Sequence, residues 1–302
     1  MDMMDQFVQE RWRELQEMQR DDQRAREEDA DLRAETAYLR MRLADSYMRN
    51  GKTTRAIAEY KRAIKLDKKN AVFHTRLADA YVAHEDIQTA MTTYQQAIRF
   101  DPQLAEPHSS VGDLYLRYGM FRHAIEQYRE AVRFEPERAF FHYQLGNTLE
   151  HIGLMDEART ALEQAVLLAP KIAFYRFRVA ALCQVQKRWE EGYVHLGHAC
   201  RLAPHDDYYL VRLAGMAISL GRQDEAIQCL QRAIALRPRN DAYQQLLIET
   251  LRLADRPEEA RAISRRLAPL DAYDRTFVER RMSEWHFPND TRADTSQFPE
   301  FP

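Results

Sequence analysis

The 302-residue sequence has little of what marks most functional classes. Its three cysteines, Cys183, Cys200 and Cys229, are odd in number and show no paired or C-x-x-C spacing. That argues against a disulfide framework and against a thiol-ligated metal, and it reads as three small core residues in a reducing compartment. No eighteen apolar residues run together, so no membrane-spanning helix is expected, and the first thirty residues lack the basic-then-apolar order of a secretory leader. The expected location is the cytoplasm, with a membrane or larger complex reached only through partners, and Asn289-Asp290-Thr291 then carries no meaning as a glycosylation signal. Lys and Arg total 44 against 47 Asp and Glu, a net charge of −3, which gives no bulk basic field for nucleic acid or an acidic bilayer. There are only nine glycines, no convincing strand, and no glycine-rich phosphate loop following one. The acidic residues are scattered over solvated faces. We therefore expect no catalytic residue, no cofactor and no metal, and a protein that is not an enzyme.

What is present is a period. Ala56, Ala90, Ala124, Ala158, Gly192, Ala226 and Ala260 recur every 34 residues. Ala63, Ala97, Ala131, Ala165, Ala199 and Ala233 keep the same step, as do Pro102, Pro136, Pro170, Pro204 and Pro238. A fourth ladder reads Ala44, Ala78, Gly112, Gly146, Ala180 and Ala214, each preceded by leucine or valine from Leu43 to Leu213. The composition favours helix formers. Two small positions per unit would let a pair of antiparallel helices approach closely, while the leucine or valine and Tyr47, Tyr81 and Tyr115 four places later form a buried helical face. Gly51, Gly119, Gly153 and Gly221 supply the left-handed residue that ends a first helix, and each proline ends a second one.

These positions, most completely Gly112, Tyr115, Ala124, Tyr128, Ala131 and Pro136, resemble the tetratricopeptide repeat. The resemblance implies an all-α fold, a right-handed α-solenoid of antiparallel helix pairs with N- and C-terminal capping helices. Seven units phase as 37–70, 71–104, 105–138, 139–172, 173–206, 207–240 and 241–274. The first departs at Lys68, where proline is usual, and the last at Ile248, Leu267 and the displaced Pro269. Gly192 and Cys183 depart in the fifth, which suggests local loosening there.

The family resemblance further implies a protein-interaction scaffold or adaptor that assembles a complex, with two alternatives: an assembly factor or chaperone holding a client subunit, or a non-catalytic regulatory subunit. In the family the second, fifth, ninth and twelfth positions of each first helix line the binding groove. Carried onto this sequence, those positions give Met41, Asp45, Thr75, Asp79, Ser109 and Asp113 early, then Phe140, Tyr143, Asn147, Phe174, Phe177 and Tyr208, with Arg178 the nearest cation. An acidic stretch followed by an aromatic one predicts a peptide or helical partner segment carrying apolar and basic residues, with packing between neighbouring helices as the competing role for the aromatics. Only Asn147 matches the lysine-and-asparagine carboxylate clamp of the co-chaperone branch, which makes that branch a poor fit.

Residues 1–36 form a charged amphipathic helix with Phe7, Val8, Trp12 and Leu15 on its apolar face. This helix reads either as a cap or as a docking helix through which the chain self-associates. Tyr273, Phe277, Val278, Met282 and Trp285 have helical spacing and suggest a C-terminal capping helix over 275–286. Residues 287–302, ending Phe-Pro-Glu-Phe-Pro, read as a disordered tail or as a peptide that docks in a groove. His74, His108 and His142 share the period, but stacked helices lie about 8–10 Å apart, too far for side chains at equivalent positions to share a zinc with ligands about 2 Å from the metal. They read as packing residues.

Overall fold

The computed structural model describes residues 18, 23, 29–265, 267 and 270–285. The expected docking helix (Phe7, Val8, Trp12, Leu15) and the 287–302 tail lie outside them. Fifteen helices make up the described chain, with no strand among its residues. The first helix, α1, covers residues 29–49 and runs unbroken through position 36. It is followed by α2 (Thr53–Leu66), α3 (Ala71–Ala83), α4 (Ile87–Phe100), α5 (Ala105–Arg117) and α6 (Phe121–Phe134). Then come α7 (Ala139–His151), α8 (Met155–Leu168), α9 (Ala173–Val185), α10 (Trp189–Leu202), α11 (Asp207–Ser219) and α12 (Gln223–Leu236). The series closes with α13 (Asp241–Leu253), a short α14 (Pro257–Ser264) and α15 (Ala272–Ser283). The architecture is all-α, of tandem helix pairs.

The turn inside each pair is the same motif seven times. Gly51, Gly119, Gly153 and Gly221 have φ between 68° and 78°. At the equivalent places on the same 34-residue step, Glu85, Lys187 and Asp255 take φ of 56–64° without being glycine. The amide after each left-handed residue bonds to the carbonyl five residues earlier, as in Asp86 N–H to Tyr81 O at 3.0 Å and Arg188 N–H to Cys183 O at 2.8 Å. Such a closure satisfies carbonyls that the helix end leaves unpaired. Between pairs, Asp101, Glu135, Ala169, Ala203 and Arg237 cap the second helices with φ of −127° to −138° and ψ of 68° to 95°, outside the helical region that a following proline disfavours. Asp67 does the same before Lys68, so the missing proline changes nothing there.

The small-residue ladders are buried contacts. A Cβ at Gly112 would lie 2.7 Å from the Tyr128 ring, and one at Gly146 would lie 2.8 Å from Leu162 Cγ. Gly192 is equally filled: its missing Cβ would meet Met216 Cε at 2.8 Å. The expected loosening of the fifth unit is therefore corrected, because a longer neighbour takes the space. Leu43 is a second correction. Its place in the ladder implies burial, yet it is 44% exposed.

Two compact units divide the chain, residues 1–136 and 137–302. The core of the first runs from Ala37 to Leu114 and contains Tyr60, Phe73, Leu77, Tyr81 and Tyr94. In the second unit the cluster around Leu196, Leu210, Met216, Leu230 and Leu246 extends to Val278 and Trp285. Thus α15 packs into its unit's core; it starts at Ala272, three residues inside the span assigned to the last repeat, and leaves Tyr273 80% exposed. No described helix is long and apolar enough to cross a membrane.

Candidate functional site

In the first unit the candidate groove residues are largely engaged internally. Met41, Thr75 and Ser109 are buried, and the Thr75 hydroxyl donates to Ala71 O at 2.9 Å. The carboxylates each accept a tyrosine hydroxyl from the second helix of their own pair: Tyr60 to Asp45 at 2.5 Å, Tyr94 to Asp79 at 2.6 Å and Tyr128 to Asp113 at 2.5 Å. All three tyrosines are fully buried. Burial raises the Asp79 carboxyl above its ordinary value, against the opposing bond from Tyr94 and the charge of Arg76. These carboxylates thus brace the two helices of their pairs through one oxygen each, while Asp113 stays exposed and Asp45 and Asp79 partly so. The tyrosines Tyr60, Tyr94 and Tyr128 keep the same 34-residue step in the sequence.

In the second unit those brace positions change together. Leu162, Leu196 and Leu230 replace the tyrosines, and Asn147, Ala181 and Gly215 replace the aspartates. The first helices instead present aromatic rings. Phe140 and Tyr143 on α7, Phe174 and Phe177 on α9, and Tyr208 on α11 follow one another with ring centroids 6.3, 5.3, 6.3 and 5.7 Å apart. The contacts between helices, Tyr143 with Phe174 and Phe177 with Tyr208, are edge-on, the arrangement that aromatic quadrupoles favour. Phe140, Phe174 and Tyr208 remain 43%, 41% and 37% exposed, while Tyr143 and Phe177 are half-buried.

Beneath them lies a second row, Phe141, Tyr175 and Tyr209, all buried. Tyr143 meets Tyr175 at 5.5 Å and Phe177 stacks on Tyr209 at 5.3 Å. The exposed rings therefore stand on a fixed aromatic floor. The sequence reading missed this floor because it sits at the third position of each helix, outside the groove register. Arg178 is not a free cation: its Nη2 donates to Asn147 Oδ1 at 2.6 Å and to Glu150 at 2.7 Å.

Beyond Tyr208 the last turn of α15 closes over the same face. The Arg281 guanidinium lies 5.8 Å from the Tyr208 ring centroid. Glu284 accepts from Arg212 at 2.5 Å and pairs with Arg281 at 2.9 Å, and its carbonyl accepts from Gln184 Nε2 at 3.1 Å. Trp285 fills the gap left by Gly215, where a Cβ would be 2.4 Å from Trp285 Nε1. An open cavity of about 560 Å³ remains between Phe177, Trp189, Tyr208 and this turn. Among the described residues five cations border it, Arg178, Lys187, Arg212, Arg280 and Arg281, against the two carboxylates Glu150 and Glu284, an excess of three positive charges.

Burial raises the thiols of Cys183 and Cys229 to about 11 and of Cys200 to about 12, which removes the thiolate needed for nucleophilic chemistry at neutral pH. His74 and His108 hold the turns before their helices through Nε2 contacts to Lys68 O and Pro102 O, at 3.0 and 3.1 Å. Among the described residues no group of three or more His, Cys, Asp or Glu is disposed to hold a metal.

Family models for the tetratricopeptide repeat match residues 41–105, 112–172 and 208–240. By sequence, no curated protein matches the chain. Among solved structures, Pseudomonas aeruginosa pilF is similar at 19% identity and a TM-score of 0.61, over 72% of this chain and 99% of its own. PilW, a widely conserved type IV pilus biogenesis factor, gives 19% and 0.59, over 70% and 98%. YrrB, a TPR protein with an unusual peptide-binding site, gives 19% and 0.53, over 60% and 93%. At these identities the likeness is one of fold.

Proposed function

Because the chain belongs to the tetratricopeptide repeat family, whose members bind other proteins or peptides, we propose that it is a non-catalytic scaffold that holds partner segments on the aromatic face of its second unit and so assembles a multiprotein complex. The observation that carries this reading is the run of five rings from Phe140 to Tyr208, half-exposed and propped on a buried aromatic row. Rings held in place lose little freedom on binding, and aromatic side chains are favoured anchors at interfaces. Packing within the unit alone would not require Phe140 and Phe174 to remain more than 40% exposed. The bound segment is apolar along the ladder. Basic residues in the segment would pair with Asp45, Asp79 and Asp113, each of which gives one oxygen to a tyrosine hydroxyl.

The test is affinity capture with the wild type and with Phe140→Ala/Phe174→Ala, which removes the two most exposed rings and leaves the floor intact. Partners retained by the wild type should fall by about tenfold or more, a loss of about 1.4 kcal/mol, while helicity is unchanged. Equal recovery of every partner by the two proteins would overturn the reading. Partners that stay at fixed stoichiometry identify a scaffold, whereas partners that leave the finished complex identify an assembly factor.

A further inference from the structure

The cavity at the C-terminal end of the ladder has a charge and a shape that neither the rings nor the repeat accounts for. One glutamate, Glu284, faces Arg212, Arg280 and Arg281, and Lys187 stands exposed on the rim. The Arg212 guanidinium is held below its ordinary range by burial, despite the pull of Glu284. With five cations against Glu150 and Glu284 among its described lining residues, the site is short of negative charge, and its walls are the rings of Phe177, Trp189 and Tyr208. A basic segment is repelled here; an acidic one bearing aromatic side chains is matched on both counts.

Such a segment follows directly in the sequence. Trp285 is itself part of the cavity wall, and residues 286–302 continue from it. They contain Phe287, Phe298 and Phe301, with Asp290, Asp294 and Glu300 against the single cation Arg292. Seventeen residues in extended form reach about 55–60 Å, far more than the cavity's width, so no geometric barrier keeps Phe298 and Phe301 from the site. Tethering also raises the local concentration of such a segment to about the millimolar range, so a weak contact suffices.

We propose that residues 286–302 of this chain occupy the cationic, aromatic cavity as an internal ligand, with Phe298 and Phe301 against the rings and the acidic side chains against the arginine and lysine rim. The consequence is competition. A partner lying along the ladder as far as Tyr208 must displace the segment, and a partner's own acidic, aromatic segment would be the competitor best fitted to do so. The inference rests on the ladder reading only through Phe177 and Tyr208, which belong to both surfaces. It can fail while capture through Phe140 and Phe174 stands, and the reverse also holds.

The experiment is hydrogen exchange of the full chain read by mass spectrometry. Amides of 290–302 should exchange at least about tenfold more slowly than an unstructured peptide of that sequence. Phe298→Ser/Phe301→Ser, which leaves every residue that lines the cavity unchanged, should abolish the protection. Lys187→Gln/Arg280→Gln should reduce it severalfold, and added salt should act in the same direction. Free-peptide exchange rates in the wild type would overturn the proposal. Protection that grows with protein concentration, together with a dimer in sedimentation, would assign the cavity to the segment of a second copy and overturn occupancy within one chain.

Discussion

Asp207, at the start of α11, is a single side chain on which two repeats depend. Tyr243 Oη donates to it at 2.7 Å and Arg237 Nε at 3.0 Å. Burial alone would raise its carboxyl, but these bonds and the helix backbone outweigh burial and hold it below its ordinary value of 3.8. A group whose folded value is lowered stabilises the native state above the unfolded value and loses that contribution as the pH falls through the folded one. Asp207→Asn should therefore cost about 1–3 kcal/mol at neutral pH, and its deficit against the wild type should shrink on acidification below the ordinary carboxylate range. Urea unfolding across that range checks this; a deficit independent of pH would contradict it. The thiols offer a second check. Cys183, Cys200 and Cys229 are buried with raised values, so an aromatic disulfide reagent should label none of them in the native chain at neutral pH and all three in urea. At this scale the sequence was legible where chemistry is local, as in the left-handed glycines. It was not legible where one residue's role depends on another helix, as with Asp45, Asp79 and Asp113, whose tyrosines lie fifteen positions on.

At the scale of the helix pair, the turn motif and the packing of α15 each carry a prediction. Glu85 adopts φ of 64° in a turn where four equivalent positions are glycine, and an L side chain there costs about 1–2 kcal/mol relative to glycine in the folded state. Part of that gain returns as extra freedom of the unfolded chain, so Glu85→Gly should stabilise by up to about 1 kcal/mol, seen as a higher urea midpoint; a lower midpoint would show that no strain is stored there. Trp285 depends in turn on the absence of a side chain at Gly215. Gly215→Val should expel the indole, shift the fluorescence assigned by Trp285→Phe to the red, and lower stability by about 1–3 kcal/mol. An unchanged spectrum would mean that α15 does not hold its last turn by this contact. The sequence disclosed a C-terminal helix from its spacing. It did not disclose that the last turn reaches Arg212 and Gln184, because those contacts span 72 and 100 residues and follow no period.

Taken whole, the chain uses one repeat for two purposes. In residues 1–136 the register that faces a partner in this family carries Asp–Tyr braces, and in residues 137–302 the same register carries rings on an aromatic floor. The period made the helices and their order readable, since every unit repeats the same small, left-handed and proline positions. The difference in use was only half readable: the aromatic residues were recognised by register, while the engagement of the aspartates and of Arg178 was not, since polar partners are chosen across helices. The direct measurement of the central claim is site-specific photo-crosslinking in living cells, with a benzophenone amino acid at position 140 or 174 and a control at Val194, 54% exposed on the second helix of its pair. The account predicts the same partner adducts from 140 and 174 and none from 194. Adducts of equal yield from all three positions, or adducts from 194 alone, would contradict it.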